Sequence, residues 1–155
     1  MADYPLRGST QSKHSQIAAE KAKQAAEESF KLGNPAMAVE QAFAALDLNP
    51  KLPMVQNYIT AYLVHSFASI STFCKKKKKD DTLVLYSILF IEDPCSKDVD
   101  EATIRKHYKE IALLVHPDKN DSAAAEGAFK IVRQAYETLI SRHRNRGRKT
   151  AGRRW

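Results

Sequence analysis

Glycine and cysteine are both scarce in this sequence, with five glycines and two cysteines among 155 residues. Glycine destabilises the interior of a helix, so its scarcity beside plentiful Ala, Glu, Lys and Leu favours helices. Runs of alternating β-branched residues, which are typical of strands, are also rare. We therefore predict an all-α protein, with enough residues for one core of ordinary size or two small ones.

The two cysteines, Cys74 and Cys95, match neither a CxxC motif nor a Cys/His ligand spacing. They indicate neither a zinc site nor a disulfide framework, so we expect a reducing compartment and no cofactor. Long apolar runs are missing too. Residues 58–74 are shorter than a bilayer span and contain His65, and residues 1–16 lack the apolar core of a signal peptide. We expect a cytoplasmic or nuclear protein, or one present in both compartments, without a membrane partner.

Acidic residues do not balance the basic ones, and the net charge is +7. Residues 1–70 hold six Lys/Arg against six Asp/Glu, and residues 82–141 hold seven against ten. The basic excess therefore comes from the lysine run at 75–79 and from the arginine-rich C-terminus. Because like charges repel and resist packing, we predict that both are solvated. The predicted segments are a disordered N-terminus at 1–12, a helical unit at 13–73, a basic linker at 74–81, a second helical unit at 82–141 and a disordered basic tail at 142–155.

The first unit shows three apolar patterns with helical spacing, which predict a small bundle of three helices. Gly33 is typical of a helix C-terminus, and Asn34 with Pro35 is typical of the cap and first turn of the next helix. Residues 31–50 look like the second half of a tetratricopeptide repeat, of which only one copy is visible. The alternative is a helical hairpin with small residues at its crossing.

The second unit has its clearest pattern at 98–116. Asp98 and Glu101 match a capping box, which predicts a helix start near Val99. One face of this helix is apolar, and the face beside it is basic and ends at a histidine. The apolar face comprises Ile104, Tyr108, Ile111 and Val115, and the basic face comprises Arg105, Lys106, Lys109 and His116.

Pro117 cannot continue this helix and disfavours helical geometry at His116, so a turn is predicted there. Asp121 or Ser122 then caps a further helix with an inward stripe. Two amphipathic helices joined by a short polar loop are expected to pack as an antiparallel hairpin with the loop at its end. The inward stripe of the last helix comprises Ala125, Ala128, Phe129, Val132, Ala135, Tyr136 and Leu139.

The segments "YSILFI", "ATIRKHYKEIALLVHPDKN" and "AFKIVRQAYETLIS" resemble, in order and spacing, the J-domain of the DnaJ family, including its His-Pro-Asp tripeptide. The segment "IALLVHPDKNDSAAAEGAFK" is especially similar to the corresponding segment of plant J-proteins that carry an N-terminal helical segment. The resemblance implies a co-chaperone that docks on a DnaK-type seventy-kilodalton heat-shock chaperone and stimulates its ATP hydrolysis. It implies an activating loop of His116, Pro117 and Asp118, and docking residues Arg105, Lys106, Tyr108, Lys109, Lys119 and Asn120.

Three residues depart from the family pattern. Glu110 stands where a basic residue is usual, Phe90 where a glycine commonly ends the first helix, and Leu114 where lysine is frequent. The glycine/phenylalanine-rich stretch, zinc repeats and client-binding region of longer family members are also missing from this sequence. The resemblance therefore implies chaperone activation but leaves the clients unknown.

Three other interpretations are compatible with parts of this sequence. His116 and Asp118 lack the further ligands or nucleophile of a metal site or hydrolase, so we expect no enzyme. There are two structural alternatives to docking. The tripeptide can be a simple turn, and the basic helix face can be ordinary solvated surface. The basic tail allows nucleic-acid binding or nuclear import, and the J-domain then serves only as a docking module. Alternatively, the tail is simply solvated. Its basic residues are Arg142, Arg144, Arg146, Arg148, Lys149, Arg153 and Arg154.

Overall fold

Only helices and their connections occur in the part of the chain that the computed structural model describes, namely residues 8–76, 80–93 and 99–151, with backbone alone at 8–11, 73–75 and 146–151. The predicted all-α class is confirmed. In chain order, the described helices are α1 (Gly8–Lys31), α2 (Pro35–Leu48), α3 (Val55–Lys76), α4 (Thr82–Ile88), α5 (Glu101–Leu114) and α6 (Ala125–Ala151).

The first two helices form a hairpin whose turn follows the predicted chemistry. Gly33 has a φ of +82°, a left-handed conformation that glycine adopts without a steric penalty. Asn34 then caps α2, because its side chain accepts a hydrogen bond from the Met37 N–H at 3.1 Å. Small side chains are buried along α2, so the helices can approach closely, and the tetratricopeptide likeness stays a prediction. The buried residues of α2 are Ala38, Ala42 and Ala45.

The central helix is α3, which contacts α2 on one side and α4, α5 and α6 on the other. Every residue from Tyr58 to Tyr62 is buried as a consequence. The sequence predicted one buried face for this helix, whereas neighbours cover it from two directions. The N-terminal helices and the C-terminal helices therefore share one apolar core.

The α5–α6 hairpin has the predicted apolar faces, since Ile104, Ile111 and Val115 are buried and Tyr108 is half-buried. The N-cap residue of α5 differs from the prediction. Asp100 caps α5, because its Oδ1 accepts a hydrogen bond from the Thr103 N–H at 2.7 Å. Asp98, the predicted cap, lies outside the described residues.

Three helices are longer than predicted. α1 begins at Gly8 within the segment predicted as disordered, α3 extends through Lys76 into the predicted linker, and α6 extends through Ala151 into the predicted tail. Ion pairs support the first part of the α6 extension: Arg142 bonds to Asp81 at 2.8 Å, and Arg144 to Glu101 at 3.3 Å. Residues 1–7, 77–79 and 152–155 lie outside the described ranges, and the division of the chain into two domains stays a prediction.

Across these described helices, none is long and apolar enough to span a lipid bilayer.

Candidate functional site

The polar loop between α5 and α6 contains the His-Pro-Asp tripeptide. α5 ends at Leu114, and the Val115 N–H still donates to the Ile111 carbonyl at 3.0 Å. Pro117 has no N–H to continue that ladder, so the helix stops. The chain turns back immediately, with the Lys119 N–H bonded to the His116 carbonyl at 2.9 Å. The predicted turn is therefore present at the end of the hairpin.

The His116 ring is held by two contacts. Its edge packs against Phe129 of α6, with ring centroids 5.4 Å apart and planes at 77°. Its Nδ1 accepts a hydrogen bond from the Asp118 N–H at 3.2 Å, so a neutral ring carries its hydrogen on Nε2. The side chains of His116 and Asp118 are 41% and 87% exposed. The tripeptide is therefore both ordered and accessible to a partner protein.

Basic side chains lie along α5 on the way to this loop. Arg105, Lys106 and Lys109 are exposed and line one shallow surface groove together with Glu110. Further along the same helix, Leu113 is 57% exposed. The predicted basic face is thus at the surface, with the acidic Glu110 beside it. This arrangement can attract an acidic partner surface and place an apolar contact beside the loop.

Tyr108 has a structural contact that the other predicted docking residues of α5 lack. Its ring stacks on Tyr136 of α6, with centroids 4.3 Å apart and planes at 16°. It is half-buried in the hairpin. Tyr108 therefore joins α5 to α6, and a contact with a partner through its remaining exposed surface stays a prediction.

Potential ligands for a metal ion do not gather around the tripeptide. Within the described ranges, no group of three or more His, Cys, Asp and Glu side chains is arranged to hold a metal. The described contacts around His116 and Asp118 are the turn, the Phe129 ring contact, the hydrogen bond from the Asp118 N–H and a His116–Asp118 side-chain pair at 3.8 Å.

Comparison with known proteins identifies this hairpin. The family model of the DnaJ domain matches residues 84–147, which overlap the predicted 82–141. The chain contains a DnaJ domain.

The matches to curated relatives each cover about a third of this chain. "Chaperone protein dnaJ 49" of Arabidopsis thaliana is 50% identical over 54 residues, which cover 35% of this chain and 14% of that protein. "DnaJ homolog subfamily B member 9" of Cricetulus griseus is 41% identical over 56 residues, 36% of this chain and 25% of that protein. "Chaperone protein DnaJ" of Limosilactobacillus fermentum is 42% identical over 55 residues, 36% of this chain and 13% of that protein. The chain thus spans a quarter or less of these relatives, and no solved structure matches it.

Asn120 sits at the base of the J-domain loop with its side chain turned into the protein. It is 2% exposed, and its Nδ2 donates to the Leu114 carbonyl at 3.1 Å and to the Asn57 carbonyl at 2.9 Å. Its Oδ1 accepts from the Ser122 N–H at 3.0 Å. The side chain is therefore unavailable as a docking contact, and the prediction of that role is wrong. Lys119, its neighbour in the loop, is exposed as predicted.

Sequence reasoning missed Glu27 of α1, which reaches the J-domain loop. Its carboxylate accepts hydrogen bonds from the Ala123 N–H at 2.7 Å, the Ser122 hydroxyl at 2.9 Å and the Tyr62 hydroxyl at 2.6 Å. Burial raises the pKa of Glu27, but these three hydrogen bonds and the Lys31 charge together lower it below its ordinary value. Glu27 is therefore held as a carboxylate. No local pattern signals the contact with the loop, because Glu27 and Ala123 are 96 residues apart.

The basic tail differs from the prediction at the two arginines whose side chains are described. Arg142 donates to the Asp81 carboxylate and, at 2.6 Å, to the Thr82 hydroxyl. Arg144 pairs with Glu101 of α5. Both arginines therefore contact the J-domain itself, which lowers their availability for phosphate. The side chains of Arg146, Arg148, Lys149, Arg153 and Arg154 lie outside those the structure describes.

Proposed function

We propose that this chain is a co-chaperone that docks on a DnaK-type seventy-kilodalton heat-shock chaperone and stimulates its ATP hydrolysis. The observation that carries the proposal is the exposed His116-Pro117-Asp118 turn at the end of a DnaJ-domain hairpin, with exposed Arg105 and Lys109 on the helix that leads to it. Relatives that match this domain are named as chaperone proteins.

The loop acts through binding, and His116 and Asp118 perform no chemistry in this proposal. The basic face of α5 steers the encounter with an acidic partner surface, because long-range attraction raises the association rate. The tripeptide then makes the short-range contacts. Stimulation requires that these contacts be stronger in the hydrolysis-competent state of the chaperone, since a ligand with equal affinity for two states shifts neither.

Nucleic-acid association or nuclear import through the tail is the alternative proposal. Arg142 and Arg144 weigh against it, since both are engaged within the protein. Deleting residues 145–155 tests it without removing either ion pair. A steeply salt-dependent RNA association that vanishes with this deletion, while ATPase stimulation persists, supports a separate function of the tail.

The experiment that tests the main proposal is steady-state ATP hydrolysis by a purified DnaK-type chaperone, titrated with the wild-type protein and with His116→Gln. The matched control is His14→Gln, the same substitution at an exposed position on α1. We expect stimulation by the wild type and by the control, and none by His116→Gln, with helical circular dichroism unchanged in all three. A folded wild type that stimulates no DnaK-type chaperone tested would overturn the proposal.

A further inference from the structure

The second half of the J-domain loop is attached to the N-terminal helices. Three side chains make the attachment and are here termed the loop clamp: Glu27 of α1, and Asn57 and His65 of α3. The three clamp side chains form hydrogen bonds with a short segment of the loop. The bonded loop residues are Lys119, Ser122, Ala123 and Ala124.

Glu27 is the strongest member of the loop clamp. It is a carboxylate with only 17% of its side chain exposed, and hydrogen bonds to a charged acceptor are stronger than neutral ones. Its bond to the Ala123 N–H also places a negative charge just before the start of α6 at Ala125. Negative charge is favourable at a helix N-terminus. Tyr62 completes the arrangement by donating its hydroxyl to the same carboxylate.

Asn57 bonds the loop at two consecutive residues, Lys119 and Asn120. Its side-chain Nδ2 donates to the Lys119 carbonyl at 3.3 Å, and its backbone carbonyl accepts from the buried Asn120 side chain at 2.9 Å. His65 lies about two helical turns further along α3, where its Nε2 donates to the Ala124 carbonyl at 3.0 Å. α3 therefore bonds the loop at both ends of the segment 119–124.

Among the described residues, the contacts of the first half of the loop stay within the hairpin. His116 touches Phe129 and the Asp118 N–H, both within the hairpin, and the Asp118 side chain is 87% exposed. The loop is consequently fixed on its inner side by α1 and α3 while the tripeptide faces a partner. This division separates the residues that hold the loop from the residues that dock.

We infer that Glu27 and Asn57 are positioning residues, through which α1 and α3 hold the tripeptide loop in its docking conformation and so set the affinity for the chaperone. The inference rests on the proposed function. An ordered loop loses less conformational freedom on binding than a mobile one. If only a fraction of molecules has the competent loop, the apparent dissociation constant rises by the inverse of that fraction. The N-terminal helices thereby regulate the activating site without touching the partner.

The experiment compares Glu27→Ala, Asn57→Ala and Glu27→Gln with the wild type in the ATPase titration and in backbone amide hydrogen exchange at 116–124. In Glu27→Ala we expect faster exchange in the loop and a half-saturating concentration raised about three- to tenfold, with the maximal stimulation unchanged. Glu27→Gln retains an acceptor for the Ala123 N–H, so its half-saturating concentration should lie between those of wild type and Glu27→Ala. Asn57→Ala should show a smaller rise than Glu27→Ala.

Arg142→Ala controls for general loss of stability, because Arg142 lies about 25 Å along α6 from the loop. It should leave the half-saturating concentration at the wild-type value. The inference is overturned if Glu27→Ala also keeps the wild-type value, or if Arg142→Ala raises it equally. If the folded wild type stimulates no chaperone, the proposed function itself is overturned, and the docking role of the loop clamp is overturned with it.

Discussion

The guanidinium of Arg142 on α6 and the buried carboxylate of Asp81, the N-cap residue of α4, lie 2.8 Å apart. Asp81 also accepts a hydrogen bond from the Ser71 hydroxyl at 3.0 Å, so one carboxylate joins α3, α4 and α6. Only 4% of the Asp81 side chain is exposed, against 37% for Arg142. Removal of the Arg142 side chain therefore leaves a buried carboxylate, whereas removal of the Asp81 side chain leaves a partly exposed guanidinium.

Arg142→Ala is expected to lower the free energy of unfolding by about 2–3 kcal/mol, since it leaves the charge of Asp81 buried without its guanidinium. Chemical denaturation measures the loss. Arg144→Ala is the control, because its pair with Glu101 is 61% and 38% exposed and such pairs contribute about 1 kcal/mol or less. Equal losses in the two variants contradict the prediction.

Phe90 has a φ of +52° just after α4, a conformation that favours glycine, and its ring lies edge-on to Phe67 with centroids 6.1 Å apart. Phe90→Gly and Phe90→Ala both remove the ring, but only glycine adopts this φ without strain. We expect Phe90→Gly to be more stable than Phe90→Ala by about 1 kcal/mol in chemical denaturation. An alanine variant at least as stable as the glycine variant argues against strain at this position.

Gly127 lies where α6 passes closest to His65 of α3. A Cβ at this position comes within 2.7 Å of the His65 ring, so Gly127→Ala displaces the ring and its bond to the Ala124 carbonyl. We expect Gly127→Ala to destabilise the protein by about 1–3 kcal/mol. In the His65→Ala background the same change should be neutral or stabilising, because alanine favours a helix. Additive effects in this double-mutant cycle contradict the predicted contact.

His65 also predicts a pH dependence of stability. Burial lowers its pKa, and the hydrogen bond to the Ala124 carbonyl opposes this shift only in part. The unfolded state, with a pKa near 6.5, therefore binds a proton more readily than the folded state. The contribution of His65 is fully present above about pH 6.5 and decreases as the pH falls below that value.

Urea denaturation at several pH values between 5 and 8 tests this sign. The free energy of unfolding of the wild type should fall below pH 6.5 more steeply than that of His65→Gln, by at most about 1.4 kcal/mol per pH unit. Parallel curves for the two proteins mean that His65 takes no part in the dependence.

Glu110 interrupts the basic face of α5, and this bears on the proposed docking. Glu110→Lys should raise the association rate with an acidic chaperone surface about twofold at low salt, and the gain should shrink as salt is added. Glu40→Lys is the control, because it changes the net charge equally at an exposed position on α2. Equal acceleration by both variants, measured by stopped-flow binding, indicates an effect of net charge alone.

Local chemistry made parts of the fold predictable. Asn34 caps α2 as expected, because a cap depends on neighbouring residues. The apolar faces of α5 and α6 also followed from helical spacing, and their hairpin placed the tripeptide at its end. The DnaJ-family resemblance identified the J-domain before any contact was known.

Contacts between distant residues could not be predicted in the same way. Asn120 was assigned to docking by resemblance, yet the Asn57 and Leu114 carbonyls draw its side chain inward. Arg142 was assigned to a solvated tail, yet Asp81 holds it on α4. In each case the partner lies in another helix, and a single sequence contains no periodicity that pairs them.

The bond between Glu27 and Ala123 joins positions 96 residues apart. During synthesis α1, α2 and α3 leave the ribosome before the loop does, so these helices can begin to pack before the loop emerges. A denatured full-length chain must instead bring the two ends of this long segment together by diffusion, which carries an entropic penalty that grows with segment length. We therefore expect the order of translation to favour assembly of this site over refolding from the unstructured chain.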